Sequence, residues 1–177
     1  MREFELLEVT FPQVEEIIEI IGRYEKDQTC EISIKQMIKN KLSIGNERYY
    51  KVKNACIRLK LIEKTYETLT LTAEGLQLYN SRDRLDFFCK HLYQLDSELN
   101  VLKSIKETYE SSSIPLGSFV DLGTIAHELR KMFKLISLHR LWATLNTLYR
   151  SVGFVELRGS VKLDQYKNVD YSEIKVK

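Results

Sequence analysis

The stretch Asn46-Glu47-Arg48-Tyr49-Tyr50-Lys51-Val52-Lys53-Asn54-Ala55-Cys56-Ile57-Arg58-Leu59-Lys60-Leu61-Ile62-Glu63, followed by Leu69-Thr70-Leu71-Thr72-Ala73-Glu74-Gly75, decides how the chain is read. Tyr49, Val52, Ala55, Cys56 and Leu59 recur at intervals of three and four, which predicts a helix over residues 47–60 with those side chains inward. Asn46 stands where a capping side chain would start it. The opposite face carries Glu47, Lys51, Asn54 and Arg58, with Arg48 and Tyr50 at its flanks. Leu61-Ile62-Glu63-Lys64 and Leu69-Thr70-Leu71 are short β-like runs around the polar tip Thr65-Tyr66-Glu67, the pattern of a hairpin. Thr72 is placed to cap a helix beginning at Ala73.

Upstream, Val14, Ile17, Ile18 and Ile21 keep helical spacing after Pro12, which suits a first turn, and Gly22 lies near the end. Glu31-Ile32-Ser33 reads as a short strand. Ser33 with Gln36 matches a capping box opening a helix over residues 34–40, and Ser43-Ile44-Gly45 reads as a turn. Helix, strand, helix, helix, hairpin is the order of a winged helix-turn-helix.

The second half repeats that order. Leu99, Leu102, Ile105 and Tyr109 mark a helix ending at Ser111-Ser112-Ser113, and a second helix is expected over residues 121–133. Ser137 is expected to cap a third, residues 138–151, with Leu138, Leu141, Trp142, Leu145 and Leu148 as its apolar face. Phe154-Val155-Glu156-Leu157, a tip at Arg158-Gly159-Ser160, and Val161-Lys162-Leu163 read as a second hairpin. Residues 59–63 superpose on 152–156 at an offset of 93, with Tyr49 over Trp142 and Val52 over Leu145.

The expected fold class is therefore mainly α with small β-hairpins (α+β). Two winged helix-turn-helix units occupy residues 1–80 and 98–166, joined by a helical linker over 81–97 and followed by a tail over 167–177. Leu85, Phe88, Leu92, Leu95, Leu99 and Leu102 form a heptad-like seam. One helix over 82–110 would let that seam pair two chains as a homodimer. A break at Asp96-Ser97 would instead let it pack the linker between the units, and burial within one chain is the expected outcome.

Net charge is only +2, but it is unevenly spread. Residues 1–31 carry three basic and nine acidic side chains, residues 34–64 nine basic and two acidic, and residues 118–163 seven basic and three acidic. Both basic stretches coincide with the third helix and hairpin of a unit. Lys and Arg can contact phosphates or guanine, Asn can pair with adenine, and the second helix of a helix-turn-helix lies in the major groove. The candidate DNA-contacting residues are Arg48, Tyr50, Lys51, Asn54, Arg58 and Lys64 in the first unit. In the second they are His139, Arg140, Thr147, Arg150 and Arg158.

Residues 12–80 resemble the winged-helix segments attached to restriction enzymes and some AAA ATPases. In those families an R-x-x-Y-Y-x-x-A-x-x-L-G-L-I helix runs into a hairpin ending L-T-x-x-G. Arg48, Tyr49, Tyr50, Ala55, Leu59, Leu61, Ile62, Leu71, Thr72 and Gly75 carry the match, and Lys60 stands where the pattern has Gly. The resemblance implies binding of double-stranded DNA beside a prokaryotic restriction or defence enzyme. A more distant resemblance, to the dimeric winged-helix subunits on SMC-type ATPases, implies a scaffold docked on a larger ATPase or nuclease.

No catalytic signature is expected. His91, His127 and His139 lack metal-ligand spacing, and no Gly-rich phosphate loop is present, so neither metal nor cofactor is called for. Cys30, Cys56 and Cys89 are odd in number and far apart, which fits a reducing, cytoplasmic setting. The apolar runs fall short of the ~18 residues of a membrane span. The acidic start Met1-Arg2-Glu3-Phe4-Glu5 does not read as a secretion signal.

Overall fold

The helices of the first unit follow the apolar periodicity closely. The structure is a computed structural model that describes residues 2–3, 7–24, 31–65, 68–99, 101–131, 133–134, 137–159 and 172–176. The chain divides into two units, residues 8–95 and residues 1–7 with 96–177. These limits differ from the expected ones: the first seven residues belong with the second unit, and residues 81–95 with the first. Both units are mainly helical with small sheets.

In the first unit α1 (Phe11–Tyr24) buries Phe11, Val14, Ile17, Ile18, Ile20 and Ile21. The Thr10 amide donates to Gln13 Oε1 at 3.1 Å, half of a capping box. The expected strand at Glu31-Ile32-Ser33 is instead the first turn of α2 (Glu31–Leu42), so Ser33 lies inside the helix and caps nothing. Gln36 Nε2 donates to Asn40 Oδ1 at 2.8 Å. Ile34 and Ile38, one turn apart, are buried while Ile32 is exposed, and packing of that face against α1 extends the helix backwards over a weak local signal. Ser43, Ile44 and Gly45 turn the chain into α3 (Asn46–Arg58). The N-cap is Gly45 rather than Asn46, with no side-chain cap bond.

The exit of α3 is a Schellman motif. Lys60 takes φ +54°, its amide donates to the Ile57 carbonyl at 2.9 Å, and the Leu61 amide donates to that of Cys56 at 3.1 Å. β2 (Ile62–Thr65) and β3 (Thr68–Leu71) then form the expected antiparallel hairpin, Ile62 opposite Leu71 and Thr65 opposite Thr68. Tyr66 and Glu67 of its tip lie outside the described residues. Thr72 caps α4 (Ala73–Asn80) as expected, its Oγ1 accepting from the Gly75 amide at 3.0 Å. Next, α5 (Arg84–Leu99) runs unbroken through Asp96 and Ser97, and α6 (Val101–Ser111) follows. The expected break at Asp96-Ser97 is therefore absent. Asp and Ser cap only where the backbone leaves the helix, and inside one they cost little. Phe88, Leu92, Leu95 and Leu102 of the leucine seam are buried within the single chain, whereas Leu85 is exposed.

The second unit follows α6 with β4 (Val120–Asp121), α7 (Leu122–Leu129), β5 (Phe133–Lys134) and α8 (Leu138–Thr144). A π turn (Leu145–Tyr149), β6 (Val155–Gly159) and β7 (Ser172–Val176) complete it. Asp121 and Ser137 cap α7 and α8 through their side chains. The second helix stops at Leu129 rather than 133 because Phe133 and Lys134 pair in parallel with β1 (Arg2–Glu3). The sheet order is β4-β7-β6, both pairs antiparallel. The partner of β6 is thus residues 172–176 of the expected tail. Ser160 and Val161-Lys162-Leu163 lie outside the described residues. Ile174 and Val176 are buried while Glu173 and Lys175 are only half-buried, the alternation of a one-sided strand. A longer connection adds little closure entropy. Tyr109 fastens α6 to this sheet, its hydroxyl 2.8 Å from the Ile174 carbonyl and 3.0 Å from that of Ser118.

The π turn resolves the alignment of the two third helices. After it, Leu148, Tyr149 and Val152 are buried as Ala55, Cys56 and Leu59 are, and Gly153 takes φ +79° where Lys60 takes +54°. Before it, the register slips by one: Leu141 and Thr144 are buried like Tyr49 and Val52, and Leu145 like Lys53. Trp142 therefore matches Tyr50, not Tyr49, and is half-buried rather than in the core.

Candidate nucleic-acid interface

Helix α3 presents the face that the periodicity predicts. Glu47, Tyr50, Lys51, Asn54 and Arg58 are exposed, while Tyr49, Val52, Lys53, Ala55 and Cys56 are buried. The Asn54 side-chain carboxamide is exposed and makes no hydrogen bond to the described residues. Lys64, with Glu63 and Thr65, lies on the exposed strand of the hairpin. The structure thus brings Tyr50, Lys51, Asn54 and Arg58 onto one helical face.

Two of the predicted basic residues are engaged within the unit. Arg48 donates through Nη2 to Gln13 Oε1 at 3.2 Å, and its Nη1 stands 3.7 Å from Glu8. Lys51 Nζ lies 3.2 Å from Glu47 and 3.4 Å from Glu8. The bond to Glu47 and the nearby Glu8 charge hold Lys51 above the usual lysine range. Exposed ion pairs are weak, so a phosphate can compete for Lys51. Arg48 acts mainly as a strut between the starts of α1 and α3.

Tyr50 is the centre of a cluster that sequence reasoning missed. Lys35, on α2, donates from Nζ to the Tyr50 hydroxyl at 3.1 Å and stands 4.8 Å from the centre of its ring. Lys53 Nζ stands 5.2 Å from the same centre. The basic run over 34–64 contained both lysines, but their convergence depends on how α2 crosses α3.

The residues predicted in the second unit do not form one face. His139 and Arg140 are exposed on the first turn of α8, and Arg150 is exposed with its Nη1 donating to Asn146 Oδ1 at 2.8 Å. Thr147 faces the N-terminal segment instead of solvent: its hydroxyl lies 2.6 Å from the Ala143 carbonyl and 3.1 Å from that of Leu7. The Leu7 amide in turn donates to Thr144 Oγ1 at 3.3 Å. A threonine hydroxyl bonded to a carbonyl of the preceding turn loosens the helical ladder, which fits the π turn here. Arg158 stacks on Phe119, its guanidinium 3.7 Å from the ring centre.

Among the described residues no group of three or more His, Cys, Asp or Glu is placed to hold a metal, and no helix is long and apolar enough to cross a membrane. Cys56 is buried, and burial pushes its thiol up to about 12. In comparisons with protein families, curated proteins and solved structures, nothing matches this chain.

Proposed function

We propose that this chain binds double-stranded DNA through α3, as a tandem winged-helix protein. The observation that carries the reading is the exposed stripe Tyr50, Lys51, Asn54 and Arg58 on a helix joined to α2 by three residues and followed by a β-hairpin. A helix so mounted fits a major groove, with Asn54 and Arg58 able to meet base edges and the hairpin lysine able to meet the backbone. The second unit supports the fold part of the reading. Apart from the short strand β5 between α7 and α8, its order helix, strand, helix, helix, strand, strand, with the first strand beside the last, agrees with that expected for a winged helix-turn-helix. A role beside a prokaryotic restriction or defence enzyme rests on the resemblance of residues 12–80.

The second reading is a winged-helix scaffold that dimerises or docks on a larger ATPase or nuclease. The pairing of Arg48 and Lys51 with Glu8 favours it, because that pairing lowers the charge offered to DNA. Duplex binding measured by anisotropy across a salt series, with light scattering in parallel, separates the two. The first reading expects an affinity that falls steeply with salt and is reduced by Asn54→Ala and Arg58→Ala. A folded dimer indifferent to DNA would establish the second.

A further inference from the structure

We propose that Glu8 is a built-in brake on duplex binding: its carboxylate holds the place beside α3 that a DNA phosphate would take, and it swings aside when DNA docks. The inference rests on the DNA-binding reading and adds to it a residue that sets affinity. Lys51 lies in the exposed stripe of α3, and Arg48 stands one helical turn before it at the stripe's flank. Glu8 Oε2 reaches both, 3.7 Å from Arg48 Nη1 and 3.4 Å from Lys51 Nζ. An oxygen anion shared by a guanidinium and an ammonium is also what a backbone phosphate makes with the basic side chains that position a protein on duplex DNA.

Lys51 does not need this carboxylate for neutralisation. Glu47, one turn away on the same helix, already stands 3.2 Å from its ammonium, so Glu8 brings a second negative charge to one lysine. Both Glu8 distances also exceed the ~2.8 Å of a tight charge-assisted hydrogen bond, so the pair is loose. The backbone delivers Glu8 instead. Leu7 and Val9 on either side of it are buried, and the Thr10 amide is bonded to Gln13 Oε1 at 3.1 Å, which fixes the segment entering α1. The Lys51 side chain keeps 45% of its surface exposed, so a phosphate can reach it without disturbing the core. Displacing Glu8 then weakens every duplex contact by the same amount. Binding persists where further contacts, such as those of Asn54 and Arg58, compensate, and an opposing charge of this kind raises discrimination at a cost in affinity.

The test uses the full chain, a mixed-sequence duplex and titrations at several salt concentrations, with circular dichroism to confirm folding. Glu8→Gln removes the charge and keeps the shape. Glu16→Gln makes the same change in net charge at a carboxylate that lies 3.8 Å from Lys41 of α2, and serves as the control. Glu8→Gln should tighten binding about three- to tenfold near 0.1 M salt, the range expected for releasing a partly exposed pair. It should also steepen the slope of log K against log salt by up to about 0.9. Glu16→Gln should change affinity by less than about twofold. In a Lys51→Met background the gain from Glu8→Gln should fall by at least half, a coupling that a change in overall charge would not produce. A folded Glu8→Gln protein with the parent's affinity overturns the proposal, as does an equal gain from Glu16→Gln. Weaker binding by Glu8→Gln also overturns it, because Glu8 would then be holding Arg48 and Lys51 in place for DNA. If Asn54→Ala and Arg58→Ala impair binding while Glu8→Gln leaves it unchanged, only this inference fails. If neither the parent nor Glu8→Gln binds duplex DNA, the underlying reading fails and takes this one with it.

Discussion

Gly75→Ala should unhinge the first unit where α3 ends and α4 begins. A Cβ at position 75 would stand 1.9 Å from the Leu61 carbonyl oxygen and 3.0 Å from its carbon. That oxygen accepts from the Thr72 amide at 3.1 Å, and Thr72 Oγ1 donates to the Lys60 carbonyl at 2.6 Å. Backbone faces backbone, so no side chain can swing aside. Relieving the overlap means moving α4 by roughly 1 Å, enough to stretch both bonds. Overpacking of this kind costs about 1–3 kcal/mol. Each hydrogen bond weakened adds about 1 kcal/mol. Alanine's better helix propensity returns about 0.5–1 kcal/mol. The expected net loss is about 3 kcal/mol, a fall of roughly 10–20 °C in the melting temperature of a unit this size. Urea denaturation followed by circular dichroism measures it. Gly45→Ser is the control: position 45 is extended, a Cβ there meets nothing within 4 Å, and a hydroxyl can cap α3. It should be neutral or slightly stabilising. A Gly75→Ala protein within about 0.5 kcal/mol of the parent would refute the close approach of α4 to Leu61.

The remaining predictions use the same unit. Lys60→Gly should stabilise it by about 0.5–1 kcal/mol in urea, since φ +54° is costly for lysine and free for glycine; a loss would mean that the lysine's own contacts outweigh the strain. With Cys30 and Cys89 changed to Ser, Cys56 should react with a thiol reagent only at the rate of unfolding, because its thiol is buried and pushed up to about 12; fast labelling of the native protein would contradict that burial. Arg84 bonds Glu19 at 2.8 Å and holds its carboxyl below the usual range. Stability from this depressed carboxyl is present above its unfolded value and lost as pH falls through the folded one. Arg84→Met should therefore cost about 1 kcal/mol at neutral pH, and the difference from the parent should shrink on acidification; a pH-independent difference would assign the effect to packing alone.

Much of the first unit is legible in the sequence because it is set by near neighbours. The inward face of α3, the hairpin over 62–71 and the Thr72 cap depend on periodicity and on side chains three residues from the amides they serve. The Ser137 cap was legible for the same reason, whereas Lys60 in place of the pattern's Gly pointed to a different helix exit, and the structure gives both Lys60 and Gly153 a positive φ. Longer-range choices were not. Whether Glu31–Ser33 is strand or helix depends on burial of Ile34 and Ile38 against α1. The partner of β6 could be chosen only by a sheet that brings residues 172–176 between 120–121 and 155–159. The candidate site divides along the same line. Which residues of α3 face outward follows from 3.6 residues per turn. That Glu8 engages Arg48 and Lys51, that Thr147 turns toward Leu7, and that Lys35 meets Lys53 over Tyr50 depend on which helices cross and where. A local pattern orients a side chain relative to its own helix, and only tertiary packing decides what it meets there.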